Sequence, residues 1–260
     1  MKIGIIGYGV VGKAVSNTLV NKYSILKYDK YVSYDSINDF VSCDFIFITV
    51  PTPFDSDSYK VNDSAVVESL EKLCEIEFKG IVIIKSTLPP QSSQKYIQKY
   101  DLKICFNPEF LRESKSPNED FKNQNTVVIG CNGDKIFGSV KKMYQKILVS
   151  NARYYHTSPT EAEMIKYAQN TTLASRVSIA NIIYDACKSM DLDYETIRKI
   201  AFDRFEILGP HMVQVPGPDG NFGFGGKCLP KDLLGFTSIH DSNVLRAIIK
   251  YNRSLREDLK

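Results

Sequence analysis

Cys228 stands in the stretch Gly223-Phe224-Gly225-Gly226-Lys227-Cys228-Leu229-Pro230-Lys231-Asp232. A thiol beside two lysines near a helix start is expected to gain thiolate character, and a thiolate attacks carbonyl carbon. The glycines let backbone come close to a ligand. A lone cysteine is more often a small buried hydrophobe, but this setting favours a nucleophile. Lys166 and Asn170 are spaced i, i+4 and share one face of a helix. An ammonium and an amide side by side could both donate to one developing oxyanion; the bland alternative is a solvated helix face. Glu109 and Glu113 flank a proline-initiated turn and could equally be exposed loop acids.

A second kind of chemistry is written at the N-terminus. Gly7-Tyr8-Gly9-Val10-Val11-Gly12 matches G-x-G-x-x-G, directly after a predicted strand and opening a predicted helix. The first glycine permits the tight turn, the second the approach of a pyrophosphate, the third close helix–strand packing. The helix start offers free N–H groups to the phosphates. Asp29 ends the second predicted strand, where an acid hydrogen-bonds the adenosine ribose and repels a 2′-phosphate, so NAD is favoured over NADP.

The elements needed to hold these residues are legible in outline. Strands are expected at 2–6, 23–28, 45–50, 81–86, 102–106 and 126–130, several of them continuous apolar runs of the kind buried on both faces of a parallel sheet. Helices are expected near 10–21, 63–75, 90–99 and 134–148. This alternation predicts a doubly wound α/β domain ending near 155. Ser158, Pro159 and Glu161 form a helix start with a capping box, and the pattern then runs to about Lys188 without Gly or Pro. A helix that long usually packs across a domain or subunit boundary. A shorter helix is expected near 193–203, a Gly/Pro-rich loop over 209–226, and a last helix from about Asp232.

Composition sets the bounds. The chain has 260 residues, 33 basic and 30 acidic, and is 43% hydrophobic. That excludes disordered and coiled-coil classes. The charge balance argues against a nucleic-acid partner. No apolar run approaches the ~20 residues of a membrane span, and the first strand begins at Lys2, with no signal peptide expected. The six cysteines show no C-x-x-C pair and no metal-ligand spacing, so no metal is expected and a reduced, cytoplasmic protein is the simplest reading.

The Cys228 stretch resembles the active-site loop of the nucleotide-sugar dehydrogenases. Five further segments resemble that family in the same order: the glycine fingerprint, Val50-Pro51-Thr52-Pro53, Lys85-Ser86-Thr87-Leu88-Pro89-Pro90, Asn107-Pro108-Glu109-Phe110-Leu111-Arg112-Glu113, and Glu163-Met164-Ile165-Lys166-Tyr167-Ala168-Gln169-Asn170. The resemblance implies a Rossmann NAD-binding domain over 1–156 and a central helical dimerisation region over 157–260, with a homodimer through the 158–188 helix. It implies Cys228 as nucleophile, Lys166 and Asn170 as oxyanion donors, and Glu109 in acid–base steps. Thr87 is implied to help hold a water that Asp232 and Lys166 support. Val50, Pro51, Thr52, Ser86, Thr87, Glu113 and Lys231 join the glycine loop and Asp29 around NAD, with Glu113 near the nicotinamide. Phe110, Leu111, Arg112, Phe222, Gly223, Phe224, Gly225 and Gly226 join Glu109, Glu113, Lys166, Asn170 and Cys228 around the sugar.

The implied reaction oxidises the C6 alcohol of a nucleotide sugar in two hydride transfers. UDP-glucose is favoured as substrate on base rate alone. Two departures stand out. The family's intersubunit Arg position holds Glu206 here, with Arg204 the nearby cation. The chain also ends at Lys260, where a third, UDP-gripping domain would follow, so that domain is expected to be absent. An idle NAD-binding and dimerisation module and a β-hydroxyacid dehydrogenase are the competing readings.

Overall fold

The computed structural model describes residues 1–110, 117–205, 208–209 and 211–256. It divides into two compact units, one of residues 1–55 and 61–166, the other of 56–60 and 167–260.

In the first unit the described residues form a seven-stranded sheet. Its strands are β1 (Lys2–Ile6), β2 (Ser24–Tyr28), β3 (Phe45–Ile48), β6 (Ile81–Ile84), β7 (Lys103–Phe106), β8 (Thr126–Cys131) and β9 (Arg153–Thr157), in the order β2-β1-β3-β6-β7-β8-β9. β4 (Phe54–Asp55) and β5 (Lys60–Val61) pair separately as a short hairpin. The period-two pattern sorts side chains to the two faces. Ile3, Ile5, Phe45, Phe47, Ile81 and Ile83 enter one core with α1 (Val10–Leu19) and α5 (Asp134–Tyr144). Ile46, Ile48, Val82 and Ile84 enter the other with α2 (Ser64–Glu75) and α3 (Ser92–Lys99). This is the doubly wound, Rossmann-like α/β architecture that the continuous apolar strands predict. It is not wholly parallel, because β7 and β8 pair antiparallel, Cys105 opposite Cys131. That pair is joined through the segment holding α4 (Pro117–Lys122), a short helix that the sequence pattern does not announce.

β9 is likewise a strand where none is expected from the pattern. It pairs parallel with β8, Thr126 opposite Arg153 through Gly130 opposite Thr157. As an edge strand it is largely solvent-facing and carries no apolar run to announce it.

α6 (Pro159–Ser189) is 31 residues long, about 46 Å. Its predicted capping box is present: Ser158 Oγ accepts from the Glu161 N–H at 3.2 Å, and Glu161 Oε2 accepts from the Ser158 N–H at 2.8 Å. In the second unit α7 (Tyr194–Arg198) passes into a π-helical turn over Lys199–Asp203. Ala174, Val177, Phe224, Leu233 and Leu245 form one small core. The expected last helix is two: α8 (Leu229–Ile239) and α9 (Asn243–Leu255). α8 begins three residues earlier than expected, because Pro230 fits the first turn, where no N–H is needed. α9 restarts on Ser242, whose Oγ accepts from the Leu245 N–H at 3.1 Å. Among the described residues no helix is long and apolar enough to cross a membrane.

The first turns of α6 are tied into the first unit by a buried acid. Glu163 is fully buried, and its Oε1 accepts from the Ser93 N–H at the start of α3, 2.7 Å away. Burial pushes its carboxyl up to about 7, against the backbone donors that favour its charge. The folded protein then holds a proton that the unfolded chain has lost above about pH 4.3, so stability should fall as pH rises from about 4.3 to 7, by up to about 3 kcal/mol. Urea titrations at pH 5 and pH 8 should show this fall, and Glu163→Gln should reduce it. An unchanged pH dependence in the variant would refute the assignment.

Candidate active site

The glycine loop turns where it must. Gly7 sits at φ +89°, and a Cβ there would meet Val50 backbone and side chain at 2.9 Å. A Cβ on Gly12 would lie 2.2 Å from the Gly7 carbonyl, which is the close helix–strand packing expected of the third glycine. Gly9 differs, because a Cβ there would meet nothing within 4 Å. Gly9 is also the residue preceding α1, with no side chain capping the helix start. Open space over uncapped N–H groups suits a pyrophosphate. Val10 is exposed and Tyr8 and Val11 are half-buried. The Tyr8 N–H donates to Asp29 Oδ2 at 2.8 Å, which ties the acid at the end of β2 to the loop.

The carboxyl ends of β3 and β6 are cross-linked by their hydroxyls. Ser86 Oγ donates to the Val50 carbonyl at 2.6 Å, and Thr52 Oγ1 donates to the Thr87 carbonyl at 2.8 Å. Both hydroxyl hydrogens are spent on backbone, so these two residues shape this edge, with their lone pairs left to accept. Pro51 is exposed and Thr87 half-buried beside them.

Behind that edge lies a buried cation to which residue type and spacing alone assign no role. Lys85 is 2% exposed and donates to the carbonyl and Oδ1 of Asn107, at 3.1 and 2.9 Å. Asn107 Nδ2 donates to the Val128 carbonyl, and the Tyr144 hydroxyl donates to Asn107 Oδ1, both at 2.6 Å. Burial pulls the Lys85 amine down to about 8. The signal that could reveal it is a lysine continuing an apolar strand, since a buried ammonium needs built partners.

Two residues after Asn107, Glu109 is paired with Lys166, Oε1 to Nζ 3.2 Å, and both side chains are buried. The Phe110 ring centroid lies 5.7 Å from the same amine. These are not solvated surface groups. Leu111, Arg112 and Glu113 lie outside the described residues, as does Glu206; Arg204 is exposed.

In the second unit Asn170 and Asp232 are both buried, and Asn170 Nδ2 donates to Asp232 Oδ2. Lys231 Nζ pairs with the other carboxylate oxygen. The Asp232 N–H donates to the Cys228 carbonyl at 2.8 Å, one helical turn away. Cys228 occupies the N-cap position of α8 and is half-buried. The loop before it is clasped by α9 and α6. Asn252 accepts from the Phe224 N–H and donates to the Phe224 carbonyl, at 2.7 and 2.9 Å, and Asn181 Oδ1 accepts from the Gly223 N–H at 3.1 Å. The Arg256 guanidinium, paired with Asp219 at 2.8 Å, lies 2.3 Å from where a Cβ on Gly225 would be, so any side chain there would displace it. Phe224 is buried, and Phe222 is partly exposed against the Tyr184 ring at 5.3 Å.

A Cys–His–Asp series stands elsewhere in the first unit. Cys131 Sγ is 3.5 Å from His156 Nε2, and His156 Nδ1 is 3.4 Å from Asp134. The thiol is 4% exposed and burial pushes it up to about 11, so it is protonated and out of reach. Among the described residues no cluster of three or more His, Cys, Asp or Glu could hold a metal ion.

The fold, the open uncapped glycine turn and the strand-end acid define a dinucleotide-binding Rossmann protein. Residues 25–148 match the NAD binding domain of the UDP-glucose/GDP-mannose dehydrogenase family, and 160–254 match its central domain. The chain belongs to that family. The glycine loop precedes the first matched segment, so its reading rests on its own geometry. A UDP-glucose 6-dehydrogenase of Rickettsia felis is 32% identical over 228 residues, 83% of this chain and 49% of that protein. One of Rickettsia bellii is 33% identical over 220 residues, 80% and 49%. The chain therefore spans about half the length of the curated relatives it matches. Among solved structures, a UDP-glucose dehydrogenase from Pyrobaculum islandicum gives a TM-score of 0.84 at 23% identity, over 97% of this chain and 68% of that one. A UDP-D-ManNAc dehydrogenase from Pyrococcus horikoshii gives 0.84 at 19% identity, over 98% and 69%.

Proposed function

We propose that the chain is an NAD-dependent nucleotide-sugar 6-dehydrogenase that oxidises UDP-glucose to UDP-glucuronate. The observation that carries the reading is the pair of buried polar clusters, Glu109 with Lys166 and Asn170 with Asp232 and Lys231. Buried charge is costly and seldom kept without use. In this reading residues 1–156 are the cofactor domain and 157–260 the central helical region.

NAD, held by the Gly7–Gly12 turn and Asp29, would supply the hydride acceptor for both oxidations at C6. The chain's own residues do the rest. A base of the Glu109–Lys166 pair removes the C6 hydroxyl proton as the aldehyde forms. Cys228 sulfur then adds to the aldehyde carbon, and the oxygen becomes a thiohemiacetal alkoxide held by Lys166 and Asn170. Loss of the second hydride leaves a thioester on Cys228. A water, held with Thr87 and Asp232, adds to that carbonyl and expels the thiolate, giving the carboxylate.

A homodimer through α6 belongs to the same reading, supported by the exposed Ile179 and Ile182 on that helix, 54% and 48%; sedimentation at micromolar concentration tests it. So does a cytoplasmic location, supported by six scattered cysteines without a disulfide-framework spacing.

Relatives acting on other sugars share this fold, so the test is a panel of UDP-glucose, UDP-N-acetylmannosamine and GDP-mannose with NAD, followed at 340 nm. NADH formation is expected with UDP-glucose first. Tight NAD binding with no turnover of any of them at high substrate would refute the proposal.

A further inference from the structure

The acid that ends β2 is followed directly by a cation. Asp29 is held by backbone, its Oδ2 accepting from Tyr8 N–H at 2.8 Å and its Oδ1 from Tyr31 N–H at 3.0 Å. Lys30 reaches α2 instead, where its Nζ lies 2.9 Å from Glu68 Oε2. The other Glu68 oxygen accepts from Lys72 Nζ at 2.9 Å, and Lys72 also donates to the Tyr28 hydroxyl at 2.9 Å. The two lysines hold the Glu68 carboxyl down to about 2, so it is ionised at any working pH.

In a Rossmann site the end of the second strand faces the adenosine ribose. An acid there accepts from the 2′-hydroxyl, and a cation nearby accommodates a 2′-phosphate. This chain carries both, in adjacent positions. Which cofactor wins then depends on whether the cation is available to the ribose.

We propose that Glu68 is a cofactor-specificity residue: by holding Lys30 against α2 it leaves Asp29 alone to face the ribose 2′ position, and a 2′-phosphate is rejected. The inference rests on the dinucleotide-binding reading of the glycine loop. Glu68 itself lies on a solvent-facing part of α2, with its side chain 39% exposed, so its replacement leaves the fold intact.

The test is fluorescence titration of the full chain with NADH and with NADPH, at low ionic strength because exposed pairs are screened by salt. Wild type should bind NADH more tightly. Glu68→Gln should narrow the NADPH:NADH ratio of dissociation constants by about threefold, the scale of one exposed ion pair. In a Lys30→Ala background the same substitution should leave the ratio unmoved, since the double-mutant cycle isolates the pair. An unmoved ratio in Glu68→Gln alone, or an equal change without Lys30, overturns the proposal while NADH binding stands. Failure of wild type to bind either cofactor overturns the dinucleotide reading and this proposal with it.

Discussion

Cys228→Ser should lower steady-state formation of the carboxylate product by about a thousandfold or more, the scale of removing a covalent nucleophile. The first oxidation should survive, because it needs only a base and a bound cofactor. With enzyme in excess over UDP-glucose, wild type should release two NADH per sugar and the variant about one, with aldehyde remaining. The reason lies in electron count. An aldehyde has no hydride to give until a nucleophile has added to its carbon, and a serine hydroxyl at neutral pH adds poorly beside a thiolate. The half-buried N-cap position of Cys228, in register with Asp232 one turn on, sets the sulfur at a helix start where negative charge is favoured. A variant that still yields two NADH at the wild-type rate would remove Cys228 from the mechanism.

The second large effect concerns stability. Lys166→Met should destabilise the protein by about 3 kcal/mol or more in urea titration, because it takes the cation from a carboxylate that is only 9% exposed. Adding Glu109→Gln to that variant should restore most of the loss, since neither member of the pair is then left charged without its partner. The double variant should nevertheless stay inactive. Recovery of stability without recovery of turnover separates the packing role of the pair from its chemical one. If Lys166→Met is as stable as wild type, Glu109 and Lys166 do not form a buried ion pair.

Much of the fold is legible in local sequence pattern. The stretch Phe45-Ile46-Phe47-Ile48 is apolar at every position, and the fold uses both of its faces, one for α1 and α5, the other for α2 and α3. The capping box at Ser158 and Glu161 announces α6, because that signal is local and depends on a few neighbouring residues. What is not legible depends on distant partners. β9 is a strand only because β8 offers it an edge. The antiparallel β7–β8 pairing, Cys105 opposite Cys131, leaves no mark in either strand's composition. The break between α8 and α9 falls at the polar run His240-Asp241-Ser242-Asn243, where Ser242 caps the second helix.

The site divides in the same way. Residue types and spacing single out Cys228, Lys166 and Asn170, the family resemblance adds Asp232 and Glu109, and the structure joins Asn170 to Asp232 and Lys166 to Glu109. Their burial is not legible, because a charged residue on a helix reads as solvated unless its partner is known. Lys85 shows in the sequence only as part of a motif, and its grip on Asn107 emerges from strands β6 and β7 lying side by side. Asn252 and Arg256 carry no signal of their own. They matter because α9 folds back over the glycine loop and fills the space that a side chain on Gly225 would need.

The central claim is that one chain carries out two oxidations through one sulfur. The most direct measurement is the stoichiometry of the wild-type reaction, NADH counted at 340 nm against UDP-glucose consumed and carboxylate formed. Two NADH and one uronate per sugar are expected. One NADH per sugar with free aldehyde as product, or bound NAD that no nucleotide sugar reduces, would contradict the claim.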